Sequence, residues 1–582
     1  PAAEADAAEA HDPLITEHPG SDFMVDVFKT LDIEYIAANP GSSFRSLQES
    51  FINYGKNRNP EWLTCMHEES SVAMAHGYYK IEGKPMMVMA HGTVGLQHAA
   101  MAVYNAYCDR VPVYIVLGNT FDATQRRPGA EWVHSVQDAA AMVRDYIKWD
   151  DMPISLGHFA ESAVRAYKIA MTPPREPVIL VADSDLQERP MNPAARPRIP
   201  RLTIPRPPAG DPGAVEEAAR MLVGAENPVI LSGRLGRTQN SIELVRELAE
   251  ALQCNASGDA MPSLHPLQGG NVRNADVILA LEPSDLWGAL NSMTDQLERT
   301  VRSNLKAGAK IITIASTDLY TKSNYQDFQR FQEVDLAIAA DAEATLPSLI
   351  EAVRRLTTSD RKRFFADRGR KLAERKREAM EQARKEAALE WDLSPISPTR
   401  ISYELWEQIK NKDWSLLTAG RGGNPHWNFT KHYQRIGGSG GSGVGYGAPA
   451  SVGAALANRK YGRLSICIQN DGDLMYAPGV LWTAAHHRIP LLMVMNNNRA
   501  YHQEVMHLQR MACRHNRDLT TAHIGNVITD PDIDFAKVAQ GLGWYAEGPI
   551  TDPKEVGPAL KRAIARVEAG EPALLDTVMQ PR

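Results

Sequence analysis

Two short polar runs, each at the end of an apolar stretch and 27 residues apart, restrict this chain of 582 residues more than any other feature. Leu464–Ile468 is apolar and leads into Asn470-Asp471-Gly472; Ile489–Met495 is apolar and leads into Asn496-Asn497-Asn498. Ala477–His487, between them, has helical character, so the pattern predicts strand, helix, strand. Such a unit places two parallel strands in one sheet with their carboxyl ends on the same edge. Ligands of open α/β sheets bind outside those ends. Asp471 and Asn498 are thereby predicted to offer a carboxylate and an amide oxygen to one point. Hard oxygen donors supplied sparingly by protein suit Mg²⁺ that is also held by a phosphorylated ligand. The residues alone predict a metal–diphosphate site.

The length makes three domains the natural prior, and two connectors separate three α/β blocks. Residues 1–13 are Ala/Glu-rich and read as a frayed N-terminal tail. Residues 14–188 form a first domain, with strands predicted near Ile33–Ala38, Met86–Ala90, Val113–Leu117 and Val178–Val181. Residues 189–211 are a Pro-rich extended linker. A central domain follows at 212–355, with strands predicted at Pro228–Gly233, Val277–Leu281 and Ile311–Ile314. Residues 356–394 form a charged helical connector, and 395–582 the third domain, which carries the polar runs. This alternation predicts an α/β chain of three doubly wound domains with parallel sheets. The connector reads as a solvated interdomain helix laced with i,i+4 ion pairs; no aromatic stacking pattern accompanies its charge to suggest a nucleic-acid arm.

Composition narrows the partners. Apolar content of 43% and charged content of 23% are those of a soluble globular protein. A net charge of −7 gives no global attraction to nucleic acid or to an anionic membrane, and no apolar run approaches a membrane span. Cys65, Cys108, Cys254, Cys467 and Cys513 are scattered without metal or disulfide spacing, and read as reduced thiols of a cytoplasmic protein. The first residue, Pro1, leaves room for an exported form after removal of a leader.

The Asn470–Asn498 segment resembles the diphosphate signature of thiamine-diphosphate-dependent enzymes, Gly-Asp-Gly and then an Asn-Asn pair ending 27 residues beyond the Asp. The resemblance implies Asp471, Asn498 and the backbone carbonyl of Ala500 as Mg²⁺ ligands, with Gly472, Asp473 and Tyr501 as coenzyme contacts. Asn470 stands where the first Gly usually sits; Asn tolerates a left-handed backbone, so the turn is expected to survive. In the first block, His67-Glu68, Gly77-Tyr78, Gly83-Lys84-Pro85 and the apolar run after them resemble the cofactor-activating segment of acetolactate synthases and benzoylformate decarboxylases. This implies Glu68 as the carboxylate at N1′ of the aminopyrimidine, where a shared proton favours the imino tautomer that removes the C2 proton. Glu69 is read as structural. The glycine-rich run Gly437–Pro449 is similar to the family segment that bends the coenzyme, which implies Val444 as the apolar wedge, the Ser442 carbonyl as acceptor from the 4′-amino group, and Gly443 beside them. Gly420, Gly422 and Gly423 are expected to cradle the diphosphate through backbone N–H groups.

On the substrate side, Asn39-Pro40-Gly41-Ser42 resembles the loop of benzoylformate decarboxylase whose Ser contacts substrate, which implies Ser42 as a hydrogen-bond donor. His91 falls where that enzyme carries a catalytic His and acetolactate synthases have none, which implies proton transfer. Leu481–Ala485 (LWTAA) also matches the decarboxylase. His502 either faces the thiazolium or is structural; His76 and His98 have no assigned role. The resemblance implies pyrimidine-binding, central and diphosphate-binding domains in a homodimer or homotetramer, with Glu68 of one subunit serving the metal loop of another. The implied reaction is non-oxidative decarboxylation of a 2-oxo acid through an ylid and an enamine. Alternatives are an acetolactate-synthase-like carboligase, a lyase or hydrolase acting on diketones or acyloins, and a non-catalytic paralogue. Ser232–Gly236 is too little for a nucleotide site, so FAD is not expected.

Overall fold

The computed structural model describes residues 17–293, 299–320, 330–418 and 425–580. The expected tail at 1–13 and the expected cradle glycines Gly420, Gly422 and Gly423 lie outside the described residues. The first domain holds a parallel sheet of β1 (Tyr35–Ala38), β2 (Glu61–Thr64), β3 (Met87–His91), β4 (Tyr114–Asn119), β5 (Trp149–Asp151) and β6 (Val178–Asp183), in the order β2-β1-β3-β4-β6-β5. Its inner strands are buried along their whole length at β4 and β6. That is why they read as continuous apolar runs rather than alternating ones: helices cover both faces. Two of those helices matter most, α1 (Glu68–Glu82) and α2 (Val94–Cys108).

The central domain repeats the plan with β7 (Pro228–Ser232), β8 (Asn255–Ser257) and β9 (Val277–Leu281). A small antiparallel hairpin, β10 (Asn291–Met293) and β11 (Val301–Ser303), precedes β12 (Lys310–Ile314) and β13 (Leu336–Ile338). The parallel sheet runs β13-β12-β9-β7-β8. The Ser232–Gly236 loop beyond β7 has a docking task. Arg234 donates to the Cys108 carbonyl (2.7 Å), and Arg237 to the Arg110 carbonyl (2.8 Å) and the Asp109 carboxylate (2.9 Å), tying the central domain to the first. Helix α3 (Ser359–Leu389) spans 31 residues and leads to the third domain. No helix among the described residues is long and apolar enough to cross a membrane.

The third domain comprises β14 (Trp414–Thr418), β15 (Leu464–Asn470), β16 (Leu492–Asn497), β17 (Tyr545–Ile550) and β18 (Ala573–Val578), ordered β14-β15-β16-β18-β17 and parallel throughout. Helix α4 (Gly447–Arg459) precedes β15. The expected helix at Ala477–His487 is present but starts later, as α6 (Val480–His486), and a separate single turn, α5 (Asp471–Leu474), precedes it. The cause is Pro478, which disfavours a helical conformation at Ala477 and donates no N–H. Beyond β16 lies α7 (His502–Arg514).

First and third domains meet where α1 crosses α4. A Cβ at Gly77 would sit 1.9 Å from the Ala450 carbonyl oxygen, and one at Gly453 1.9 Å from that of Met74, so the two backbones touch there. A charged node sits beside this crossing. Asp109 is bound by Lys80, by His76 Nε2 (2.9 Å) and by Arg237, while Lys80 also donates to the Gly438 carbonyl (2.7 Å). Burial pushes the His76 imidazole down to about 4, so it stays neutral against its charged neighbours. His76 therefore has a structural part, at a junction of all three domains. Gly77→Val is expected to force α1 and α4 apart at a cost of about 1–3 kcal/mol or more. Thermal unfolding should start several degrees lower, whereas Gly224→Ala, where a Cβ meets nothing within 4 Å, leaves Tm unchanged or higher. An unchanged Tm for Gly77→Val would refute the contact.

Candidate active site

The two polar runs come together as adjacent strand ends. Asn470 of β15 pairs in register with Asn496 of β16, which sets Asp471 and Asn498 side by side at the carboxyl edge. Asn470 has φ −78° and ψ 146°, ordinary extended backbone, so the left-handed turn expected of it is not used. Its side chain instead accepts from Asn496 Nδ2 at 3.0 Å and stitches the strand ends together. The left-handed residue is Arg499 (φ 58°), which turns the chain between Asn498 and Ala500.

Asp471 is 2% exposed; its Oδ1 accepts from the Gly472 N–H at 2.9 Å, and its buried Oδ2 has no hydrogen-bond partner. Burial pushes its carboxyl up, against the pull of the Gly472, Arg499 and Ala500 N–H groups. A buried carboxylate in that state is poised for a cation. The Asn496 Oδ1 is likewise buried and unpartnered, and Asn498 Oδ1 accepts from the Ala500 N–H at 3.1 Å. A cleft of about 420 Å³ opens here, lined in part by Ser442, Val444, Asp471, Asn498, Tyr501 and His502. Its lining residues all come from the third domain. At Gly472 a Cβ would lie 2.5 Å from the Tyr501 ring, so this backbone reaches the cleft only without a side chain. An all-oxygen donor set, an unpartnered buried carboxylate oxygen and a bare backbone cradle fit Mg²⁺ with a diphosphate. Asp473 lines the cleft too, but its two oxygens accept from Gly445 N–H (2.7 Å) and Gln469 Nε2 (2.6 Å), anchoring the glycine-rich run.

The first-domain residues form a second cluster. Glu68, the first residue of α1 and 3% exposed, accepts from Asn39 Nδ2 (3.3 Å) and pairs with His98 Nδ1 (3.0 Å). Gly95 lies against both Glu68 and His91, its position leaving only 3.2–3.3 Å from a Cβ to either side chain. His91 ends β3; burial lowers its imidazole first, the nearby His134 lowers it further, and Glu68 raises it. The serine that bonds His91 is Ser43, whose Oγ lies 2.8 Å from Nδ1 and which is buried. Ser42, the expected donor, is exposed and offers its carbonyl to Arg45 at 3.2 Å. The turn that begins the short helix Ser42–Phe44 decides which hydroxyl points inward, and sequence spacing alone does not resolve it.

Glu68 and Glu69 face different ways. Glu69 turns toward Gly445, where a Cβ would lie 3.3 Å from its Oε1, and burial, with the Asp473 charge adding to it, raises its carboxyl. Glu68, about 100° round the helix, faces Asn39 and His98. Within one chain the third domain thus meets Glu69 rather than Glu68.

One residue with no motif holds the glycine-rich run in place. Asn105 of α2, 2% exposed, accepts from the Gly443 N–H (3.1 Å) and donates to the Gly443 carbonyl (3.4 Å). The preceding Ser442 has φ 56°, a conformation that costs a non-glycine residue about 1–2 kcal/mol. The two-way bond stabilises that turn and leaves Val444, 44% exposed, pointing at the cleft. Asn105→Ala is expected to weaken coenzyme binding about tenfold, the worth of two hydrogen bonds, with a small change in Tm. Asn105→Asp, which keeps the acceptor, recovers part of it. Equal coenzyme affinity in wild type and Asn105→Ala would refute the clamp.

Three parallel α/β domains, with an oxygen-lined cleft at strand ends of the last and a buried carboxylate at a helix start of the first, define an enzyme of the coenzyme-diphosphate class. Family models agree on every domain: the N-terminal TPP-binding domain of thiamine pyrophosphate enzymes matches residues 18–142, the central domain 215–349 and the C-terminal TPP-binding domain 421–577. The chain belongs to the thiamine pyrophosphate enzyme family. It is 24% identical over 565 residues to a benzoylformate decarboxylase of Pseudomonas aeruginosa, covering 94% of this chain and 96% of that one. It is 23% identical over 511 residues to the acetolactate synthase large subunit of Buchnera aphidicola, covering 82% of each. The solved 4-hydroxybenzoylformate decarboxylase of Rhodococcus jostii shares the fold with a TM-score of 0.72 at 18% identity, over 97% of this chain and 99% of that one.

Proposed function

We propose that the protein decarboxylates a 2-oxo acid without oxidation, using thiamine diphosphate and Mg²⁺, and that it works as at least a homodimer. The observation that carries this reading is the division of the site. The cleft at Asp471 is lined by the third domain, while Glu68 of the same chain turns toward Asn39 and His98. A second copy supplies its own Glu68 to this cleft. Val444, Tyr476 and Tyr501 stand 44%, 53% and 40% exposed, an apolar surface of the kind that a partner covers. The five free cysteines accord with a reducing compartment such as the cytoplasm.

In this reading Asp471, Asn498 and the Ala500 carbonyl hold Mg²⁺, and Gly472 lets the diphosphate approach. Val444 orients the coenzyme, the Ser442 carbonyl accepts from its amino group, and Glu68 holds a proton at N1′. The bound coenzyme supplies the electron sink that lets the bond between keto carbon and carboxylate break. CO₂ leaves and a proton takes its place on that carbon. His91, kept neutral by burial and by His134, is placed to carry that proton, with Ser43 fixing its ring. The loop that carries Ser42 and Ser43 is the one this reading turns toward substrate, with the Ser43 hydroxyl facing inward.

His91 favours aldehyde release over ligation to a second carbonyl compound. The test is incubation with thiamine diphosphate, Mg²⁺ and a panel of aliphatic and aromatic 2-oxo acids, following CO₂ and carbonyl products by mass spectrometry. Aldehyde with matching CO₂ supports decarboxylation; hydroxy ketone points to a carboligase. Silence across the panel, with coenzyme bound, overturns 2-oxo acid chemistry in favour of diketone cleavage or a non-catalytic role.

A further inference from the structure

His67, Glu68 and His98 lie together at the start of α1 and the second turn of α2, with one donor atom from each within 4.8 Å of the others. His98 Nδ1 is 3.0 Å from Glu68, and the His67 and His98 rings stack with centroids 4.8 Å apart at an angle of 22°. We propose that these three side chains form a second metal site, selective for a borderline-soft divalent ion such as Zn²⁺, and that a metal there, seated on Glu68 in the space the coenzyme ring would enter, competes with coenzyme binding. The competition rests on the reading of Glu68 given above; the site itself does not.

Donor chemistry separates this site from the cleft at Asp471. There the donors are a carboxylate, an amide oxygen and a carbonyl, which suit Mg²⁺. Here two imidazoles and one carboxylate form the two-histidine, one-carboxylate set that favours Zn²⁺ and the later first-row metals, with further coordination positions free. Around a tetrahedral zinc, donor atoms stand about 3.3 Å apart, given bonds of about 2.0–2.1 Å. The observed 4.8 Å limit therefore needs a contraction that the His98 side chain, 55% exposed, supplies by rotation. His98 sits on the helical backbone of α2, and His67 is the extended residue that caps the start of α1, next to Glu68. Zinc at His67 competes with its acceptance of the Glu69 N–H, a bond of 3.3 Å.

The full chain, freed of coenzyme and kept in millimolar Mg²⁺ to fill the oxygen site, is titrated with Zn²⁺ against a chromophoric chelator. One zinc per chain is expected, and His98→Ala and His67→Ala each weaken it by more than about tenfold. Circular dichroism checks that both variants are folded. Thiamine diphosphate binding, followed by tryptophan fluorescence, should weaken as Zn²⁺ rises in wild type and lose that dependence in His98→Ala. Zinc affinity unchanged in both histidine variants overturns the site, and coenzyme affinity indifferent to bound zinc overturns the competition. Wild-type turnover by Glu68→Gln would overturn the coenzyme reading alone, because the zinc titration is run without coenzyme.

Discussion

Glu68→Gln is expected to remove activity by about 10²–10⁴-fold, the range spanned by loss of a positioned proton-transfer group, while the fold persists. Glutamine matches glutamate in shape, so the volume at the N-terminus of α1 is conserved, and its amide oxygen still accepts from Asn39. What disappears is a carboxyl able to share a proton with the coenzyme. Thermal unfolding should move by no more than a degree or two, and coenzyme affinity far less than turnover. Wild-type turnover in this variant would sink the assignment. Comparable loss in Glu69→Gln would point to the wrong one of the two adjacent carboxylates.

Asp471→Asn is expected to shift stability and ligand response in opposite directions. Burial raises the Asp471 carboxyl, so the folded state holds that proton more tightly than the unfolded one. Stability therefore declines as pH rises through the unfolded value toward the folded one, and the penalty persists at neutral pH. Asparagine removes it, so the coenzyme-free variant should melt at the same temperature or higher. With Mg²⁺ and thiamine diphosphate the wild type gains stability by mass action, about 2.7 kcal/mol at a hundredfold excess over Kd. The variant lacks the charge that holds the cation, so most of that gain and all measurable turnover vanish. A lower melting temperature without ligand together with an undiminished ligand shift would exclude Asp471 as the cation's anchor.

The features legible in the sequence share one property: each is local. Apolar runs that end in Asn470-Asp471-Gly472 and Asn496-Asn497-Asn498 announce strand ends because a fully buried parallel strand admits few polar residues, and the structure pairs those ends as Asn470 against Asn496. The helix expected at Ala477–His487 is found at Val480–His486, because Pro478 near its start delays helical backbone by three residues. The family resemblance supplied Glu68 and His91, which lie close together beside Gly95. It did not distinguish Ser42 from Ser43, since one residue's difference in a tight turn is a difference in direction rather than in composition.

Asn105 carries no motif, lies on a different domain from Gly443, and acts across 338 residues of chain. The His67–His98 stack and the separate facings of Glu68 and Glu69 are also invisible in one dimension, because helix phase and neighbouring elements set them. By itself, then, the amino-acid order determined three α/β domains and the chemical types gathered at each strand end, since burial and backbone pairing act over neighbouring residues. Only the tertiary structure decided which carboxylate turns away from its own chain's cleft, which serine meets His91, and what holds Ser442 in its turn. Those outcomes depend on surfaces brought together from distant segments, where close packing of α1 against α4 leaves no freedom to choose otherwise.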